Sequence, residues 1–181
     1  MKLKDLKLAA SCCPQKDIRY YLNHFRIDRQ SITASDGYRL VKVEFKTPID
    51  FPETIEKEYI LVPYNTGANL LKKFSVKQHY LPVEIVAGLY PNQYALSCAG
   101  ELEFFSPDLE SKYSDFTKLI ATVNENPDAS VFSQYNWEYV AIAQKALIAW
   151  SGVSTFAFHS LDKMGWFKLD TAVYIIMYWR V

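Results

Sequence analysis

Apolar and polar positions change period several times along the chain. Residues 2–13, KLKDLKLAASCC, set Leu3, Leu6, Ala9 and Ala10 at helical spacing and keep Lys2, Lys4 and Lys7 elsewhere, which predicts an amphipathic helix stopped by Pro14. Two short strands are expected over roughly 18–27 and 30–35, then a hairpin turn at Asp36-Gly37. YRLVKVEF alternates and reads as a third strand, and TPIDFPETIEK as a polar, proline-containing crossover. The pattern then begins again. EYILVP predicts a strand, and YNTGANLLKKF a helix with Asn65 as N-cap. LPVEIVAG, QYALSCAG and ELEFFSPD predict three strands separated by Gly, Pro and Asn. LESKYSDFTKLIATVNENPDA shows little periodicity and reads as a connector. SVFSQ predicts a short strand, YNWEYVAIAQKALIAW a helix, and VSTFAFHS, MGWFKLD and AVYIIMYWRV three more strands.

This is a repeat of strand, helix and three strands. LVPYNTGANLL and VFSQYNWEYVA both carry Tyr-Asn at the helix entrance, and the first copy begins almost at its helix. Such units stack helices on one side of a curved sheet and bury a shared core, so the expected class is α+β.

Composition narrows the function classes. A chain of 181 residues allows one domain, or one and a fraction, and 50% hydrophobic residues can fill a sizeable core. Thirteen Tyr and eleven Phe favour strands over a helical bundle. Twenty basic and twenty acidic residues leave no global reason to expect nucleic acid, so any basic surface must be local. MKLKDLKLAA lacks the layout of a signal peptide and no stretch approaches a membrane span, which points to a soluble cytoplasmic protein. Cys12, Cys13 and Cys98 fit neither a disulfide framework nor zinc spacing and are expected as buried or half-exposed thiols. His24, His79 and His159 are scattered and are expected in hairpins or on the surface, not on a metal. Without a Gly-rich phosphate loop, a nucleophile elbow or a paired acidic motif, no enzyme and no cofactor are expected.

KDIRYYLNHF, read as the start of a strand, poses a question. Neighbouring strand residues face opposite sides, so Tyr20 and Tyr21 cannot share one core. DIRYYLN, then ASDGYRL, then SKYSDFTKLI, and finally YIIMYWRV together resemble the bacterial sliding clamp, the beta subunit of the replicative DNA polymerase. The counterparts of the family's motifs are Arg19 to Asn23, Ser35 to Leu40, Lys112 to Phe116 and Met177 to Val181. The resemblance implies the DNA-clamp fold, built from repeated β-α-β-β-β units and amounting to about one and a half clamp domains. Residues 1–121 resemble the family's middle domain without its first strand. Residues 122–181 resemble the C-terminal half of its last domain. With the remaining units unmatched, the family's usual dimeric ring is not expected.

Two sites follow from the resemblance. Lys16, Arg19, Tyr20 and Tyr21 fall where the family touches DNA, and Lys72 and Lys73 lie on a helix that would face it, as Lys2, Lys4, Lys7 and Lys145 do on theirs. The physics suits phosphate pairing by Arg and stacking by Tyr, although lysines also serve as an ordinary solvated helix face and one tyrosine as a core cap. The second site is a hydrophobic pocket for a short partner peptide. Its counterparts are Leu22, Gly37, Tyr38, Arg39 and Leu40, then Ser114, Lys118 and Leu119, then Asn136, Tyr139, Met164, Ile175, Met177, Tyr178, Trp179 and Arg180. Asn136 and Tyr139, three apart, would share a helix face. Tyr178-Trp179 replaces the family's proline-methionine and Ser114 a proline, while Ile175 and Met177 would serve core packing equally well. The resemblance thus implies a non-enzymatic, clamp-like protein of DNA replication or repair whose partners are the clamp-binding peptides of polymerase, clamp-loader or repair proteins. The alternatives are a self-assembling homo-oligomeric clamp around double-stranded DNA and a clamp-derived interaction module without DNA.

Overall fold

The computed structural model describes residues 1–108, 111–126, 128–129, 135–161 and 164–177. Helix α1 (Leu3–Ala10) is followed by three antiparallel strands, β1 (His24–Asp28), β2 (Ser31–Ser35) and β3 (Arg39–Glu44). Asp28 closes the first turn, its carboxylate accepting from the Gln30 and Ser31 amides at 2.9 and 2.6 Å. Asp36 closes the second, accepting from the Tyr38 and Arg39 amides at 2.9 and 2.7 Å. Strand β4 (Tyr59–Pro63) pairs with β1 and runs directly into α2 (Tyr64–Lys72). Gly67 lets α2 come close to β1, since a Cβ there would stand 2.5 Å from the Phe25 ring. Strands β5 (Glu84–Ala87), β6 (Tyr94–Cys98) and β7 (Glu101–Phe105) form a three-stranded sheet. Helix α3 (Thr117–Glu125) and helix α4 (Trp137–Ser151) follow, then β8 (His159–Leu161), β9 (Met164–Leu169) and β10 (Ala172–Met177).

The chain's end returns to its beginning. β10 pairs with β3, with Ile175 opposite Leu40, and yields one seven-stranded sheet in the order β4-β1-β2-β3-β10-β9-β8. Backbone bonds from Met177 to Tyr38 and from Glu44 to Thr171, each 2.7 Å, extend this seam past the ends of the paired strands. Alternation along the seam makes two cores. Val41, Val43, Phe167, Tyr174 and Ile176 share one with α1, Leu70 of α2, and Val140, Ala143 and Leu147 of α4. Leu40, Trp166, Val173 and Ile175 turn to the other, which α3 covers with Val123.

The structure corrects several expectations. Residues 18–23 form no strand: Tyr20–Asn23 is a 3-10 turn. The Asp17 amide donates to the Asn23 side chain at 2.6 Å, and that side chain returns a bond to the Asp17 carbonyl at 3.0 Å, curling the chain before β1 begins. The cap of α2 is Pro63, because β4 pairs up to that residue and leaves Asn65 inside the first turn. The expected connector contains α3. Residues 153–158 pair with no strand among the described residues; Gly152, at φ 78°, ends α4, and Phe156 and Phe158 pack on Phe167. The first helix stops at Ala10, before Pro14. His24 is on a hairpin strand, as one of the two expected placements has it, and is buried at the start of β1. All three cysteines are buried free thiols, as expected. The strand expected at 130–134 lies outside the described residues.

Candidate functional site

Five of the sequence-derived pocket residues converge on the second core. Leu40 from β3, Met164 from β9 and Ile175 from β10 are buried there, and Leu119 of α3 and Met177 of β10 are partly buried against them. These side chains come from four separate elements and meet because β10 docks on β3. Ile175 and Met177 share one strand face, as alternation requires.

A polar and aromatic group gathers at the hairpin end of the seam, with Tyr139 packed on the first core and not on this one. Gly37, at φ 84°, takes the left-handed conformation of the hairpin turn. Tyr38 is exposed, and its ring lies 6.3 Å from that of Tyr139. Arg39 pairs with Asp36 at 2.6 Å and places its guanidinium 4.8 Å from the centre of the Tyr139 ring. Tyr139 therefore meets both hairpin residues. Asn136 does not share a helix face with it but caps α4, its side-chain oxygen accepting from the Glu138 amide at 3.0 Å. The neighbouring Tyr135 hydroxyl donates to the Met164 carbonyl at 2.8 Å, fixing the entrance of α4 to β9.

Other pocket residues stand apart. Leu22 is buried, and its carbonyl accepts from the Cys13 thiol at 3.5 Å. Ser114 lines a cleft with Arg26, Asp28 and Lys42 that borders the second core through Phe116 and Ile120. Lys118 is exposed on α3. Tyr178, Trp179 and Arg180 lie outside the described residues.

Sequence reasoning missed Phe116, Ile120 and Val123, which pack with Leu119 on the same core. Their spacing of 116, 119, 120 and 123 is a helical stripe that polar neighbours concealed. Trp166 was missed as well. It is fully buried, its indole N–H has no partner among the described residues, and His159 stacks on it at 6.3 Å.

The residues matched to DNA contact are placed less uniformly. Lys16 and Tyr20 are exposed, as is the preceding Ile18. Tyr21 is half-buried, edge-on to Tyr113 at 6.2 Å. Arg19 binds Asp17 at 2.9 and 3.0 Å and the Asp36 carbonyl at 2.9 Å, so its guanidinium ties this loop to the Asp36-Gly37 turn. Lys73, which caps α2, pairs with Glu101 and Glu103 at 2.9 Å each, and those two bonds raise its pKa. Lys72 is exposed and makes no ion pair among the described residues.

No family model matches the chain, and no curated protein matches it. Solved structures do. The chain is similar to the DNA polymerase III subunit beta of Pseudomonas aeruginosa, at 13% identity and a TM-score of 0.67, over 98% of this chain and 64% of that one. It is similar to the DNA polymerase sliding clamp of Bacillus subtilis, at 15% identity and a TM-score of 0.64, over 99% of this chain and 62% of that one. A Pseudomonas aeruginosa sliding clamp bound to griselimycin is matched at 14% identity and a TM-score of 0.63, over 100% of this chain and 64% of that one. The chain therefore has the fold of the bacterial sliding clamps, and it spans less than two thirds of the length of each of these relatives. The α+β clamp architecture expected from the sequence motifs is borne out.

Proposed function

We propose that this chain is a non-enzymatic, clamp-like binding protein of DNA replication or repair, and that it takes short peptides with apolar anchors from polymerase, clamp-loader or repair proteins. One observation carries the proposal. Leu40, Leu119, Met164, Ile175 and Met177, distant in sequence, gather on one side of the β3–β10 seam, and Tyr38, Arg39 and Tyr139 meet at its hairpin end, where Tyr139 packs on the other core. The fold likeness to sliding clamps supports it. Residues 1–121 and 122–181, taken as one clamp-like domain and a further half, both contribute side chains.

Chemically the arrangement suits an extended peptide. Leu119 and Met177 offer partly exposed apolar surface, and Met adapts to varied anchors. Exposed Tyr38 supplies a large ring with a polar tip beside them. Arg39 is already neutralised by Asp36, so its role is to hold the Tyr139 ring in place.

The test is a titration of a labelled clamp-binding peptide followed by fluorescence anisotropy. Binding near micromolar Kd is expected, weakened about tenfold by Tyr139→Ala and by Met177→Glu. No saturable binding, or binding indifferent to both substitutions, overturns the proposal.

A further inference from the structure

On the opposite face of the sheet, α1 and α4 lie side by side and leave a cavity of about 460 Å³ between them. That volume is in the range of small-molecule sites. Its charged lining is of one sign. Lys4 and Lys7 come from α1 and Lys145 from α4, and His79 closes the space from the loop over the start of α1. The Lys7 Nζ stands 3.3 Å from His79 Nε2, and the His79 carbonyl accepts from the Lys4 amide at 2.9 Å, which holds this loop in place. Lys4 Nζ lies 4.4 Å from the centre of the Trp150 ring.

No carboxylate lines the cavity among the described residues. Asp5, the acid next to Trp150, is buried and already accepts from the Lys2 amide and the Trp150 indole at 2.8 and 2.9 Å. Three ammonium groups line one confined space, Lys4 donating to the Trp150 carbonyl at 3.3 Å, and together they favour an anion entering it. Burial first, then Lys7 and Lys4, lowers the pKa of His79, so the imidazole senses the same cations. Apart from Ser11, whose hydroxyl donates to the Leu8 carbonyl at 2.7 Å, the rest of the lining is largely apolar. Ile142 and Ala146 present a hydrocarbon wall on α4, and Ile142 is exposed. A bare anion would leave that wall wet.

We infer that the cleft between α1 and α4 is a binding site for a small phosphorylated molecule with an apolar or aromatic body. Lys7, Lys145 and His79 hold its phosphate, and Ile142 and Ala146 receive its body. Lysines serve here as point charges for phosphate rather than as a bidentate fork. The site lies across the sheet from the Leu40–Ile175 core and does not depend on the proposed peptide surface.

The experiment follows the His79 ring and the Trp150 indole N–H by NMR in the full chain. Adenosine 5′-monophosphate is titrated against inorganic phosphate, uncharged adenosine and a short DNA duplex. The nucleotide is expected to shift both signals saturably, with phosphate and adenosine each about tenfold weaker. Lys7→Gln and Ile142→Glu are each expected to weaken the nucleotide about tenfold, with the melting temperature of the protein as a control for folding. Absence of a saturable shift overturns the inference. So does phosphate binding as tightly as the nucleotide, which would mean a simple cationic surface. Duplex DNA displacing the nucleotide at lower concentration would reassign these cations to the nucleic-acid backbone. These ligand comparisons on the unaltered chain decide the matter even if a variant fails to fold.

Discussion

Gly37 carries two constraints at once. Its φ of 84° disfavours any side chain, and a Cβ there would lie 2.2 Å from an Arg19 guanidinium nitrogen. The same arginine bonds to Asp17 and to the Asp36 carbonyl. Gly37→Ala is therefore expected to cost about 1–3 kcal/mol in urea unfolding. Arg19→Ala should relieve the steric part and leave the backbone part, so the double variant should be less destabilised than the sum of the singles. At His24 the constraint is protonation. Burial depresses its pKa below the ordinary 6.5, and its Nδ1 stands 3.1 Å from the Tyr20 carbonyl. That contact is made by donating a proton. The unfolded chain binds a further proton more readily than the folded one, so the His24 contribution to stability falls as pH drops through 6.5 and is flat above it. His79 is shifted in the same direction. Thermal melts of His24→Asn across this range should show a shallower fall than the parent, without abolishing it.

Among the elements, α3 bears most on the proposed site, because it covers the core on which the peptide surface stands. Val123 is fully buried there. Val123→Ala should cost about 1–3 kcal/mol by chemical denaturation, and Lys118→Ala, on the exposed side, close to nothing. Strands with a turn at their ends were legible in the sequence. Asp36-Gly37 marked the β2–β3 hairpin, and Val41 and Val43 alternated with polar neighbours along β3. Local alternation failed at Tyr20 and Tyr21, where the reciprocal Asp17–Asn23 bonds form a 3-10 turn that no period announces. The question of two tyrosines on one strand dissolves, since neither is on a strand. One lies exposed and the other leans on Tyr113. Pairing of β10 with β3 was legible only through the family motifs. Nothing in the composition of Ile175 or Leu40 says that they meet, with 134 residues between them in the sequence.

For the whole molecule, charge and edges set the expectations. Twenty basic residues balance twenty acidic ones, and Arg19 and Lys73 are held by carboxylates. Duplex DNA should accordingly bind weakly, with a shallow salt dependence that reflects few phosphate contacts. Light scattering should give the mass of one chain, 20.9 kDa, at about micromolar concentration. A higher mass would favour the self-assembled clamp, and β7 is then the edge to alter, because Leu102 and Phe104 are exposed along it. No helix among the described residues is long and apolar enough to cross a membrane. The seam between β3 and β10 has one more consequence. It joins the two ends of the chain by backbone bonds while the covalent route between them runs the long way round, through β7 and α3. A protease that nicks the polypeptide between those two elements would cut the thread without parting the cloth. Two fragments should appear on a denaturing gel and a single species under native conditions.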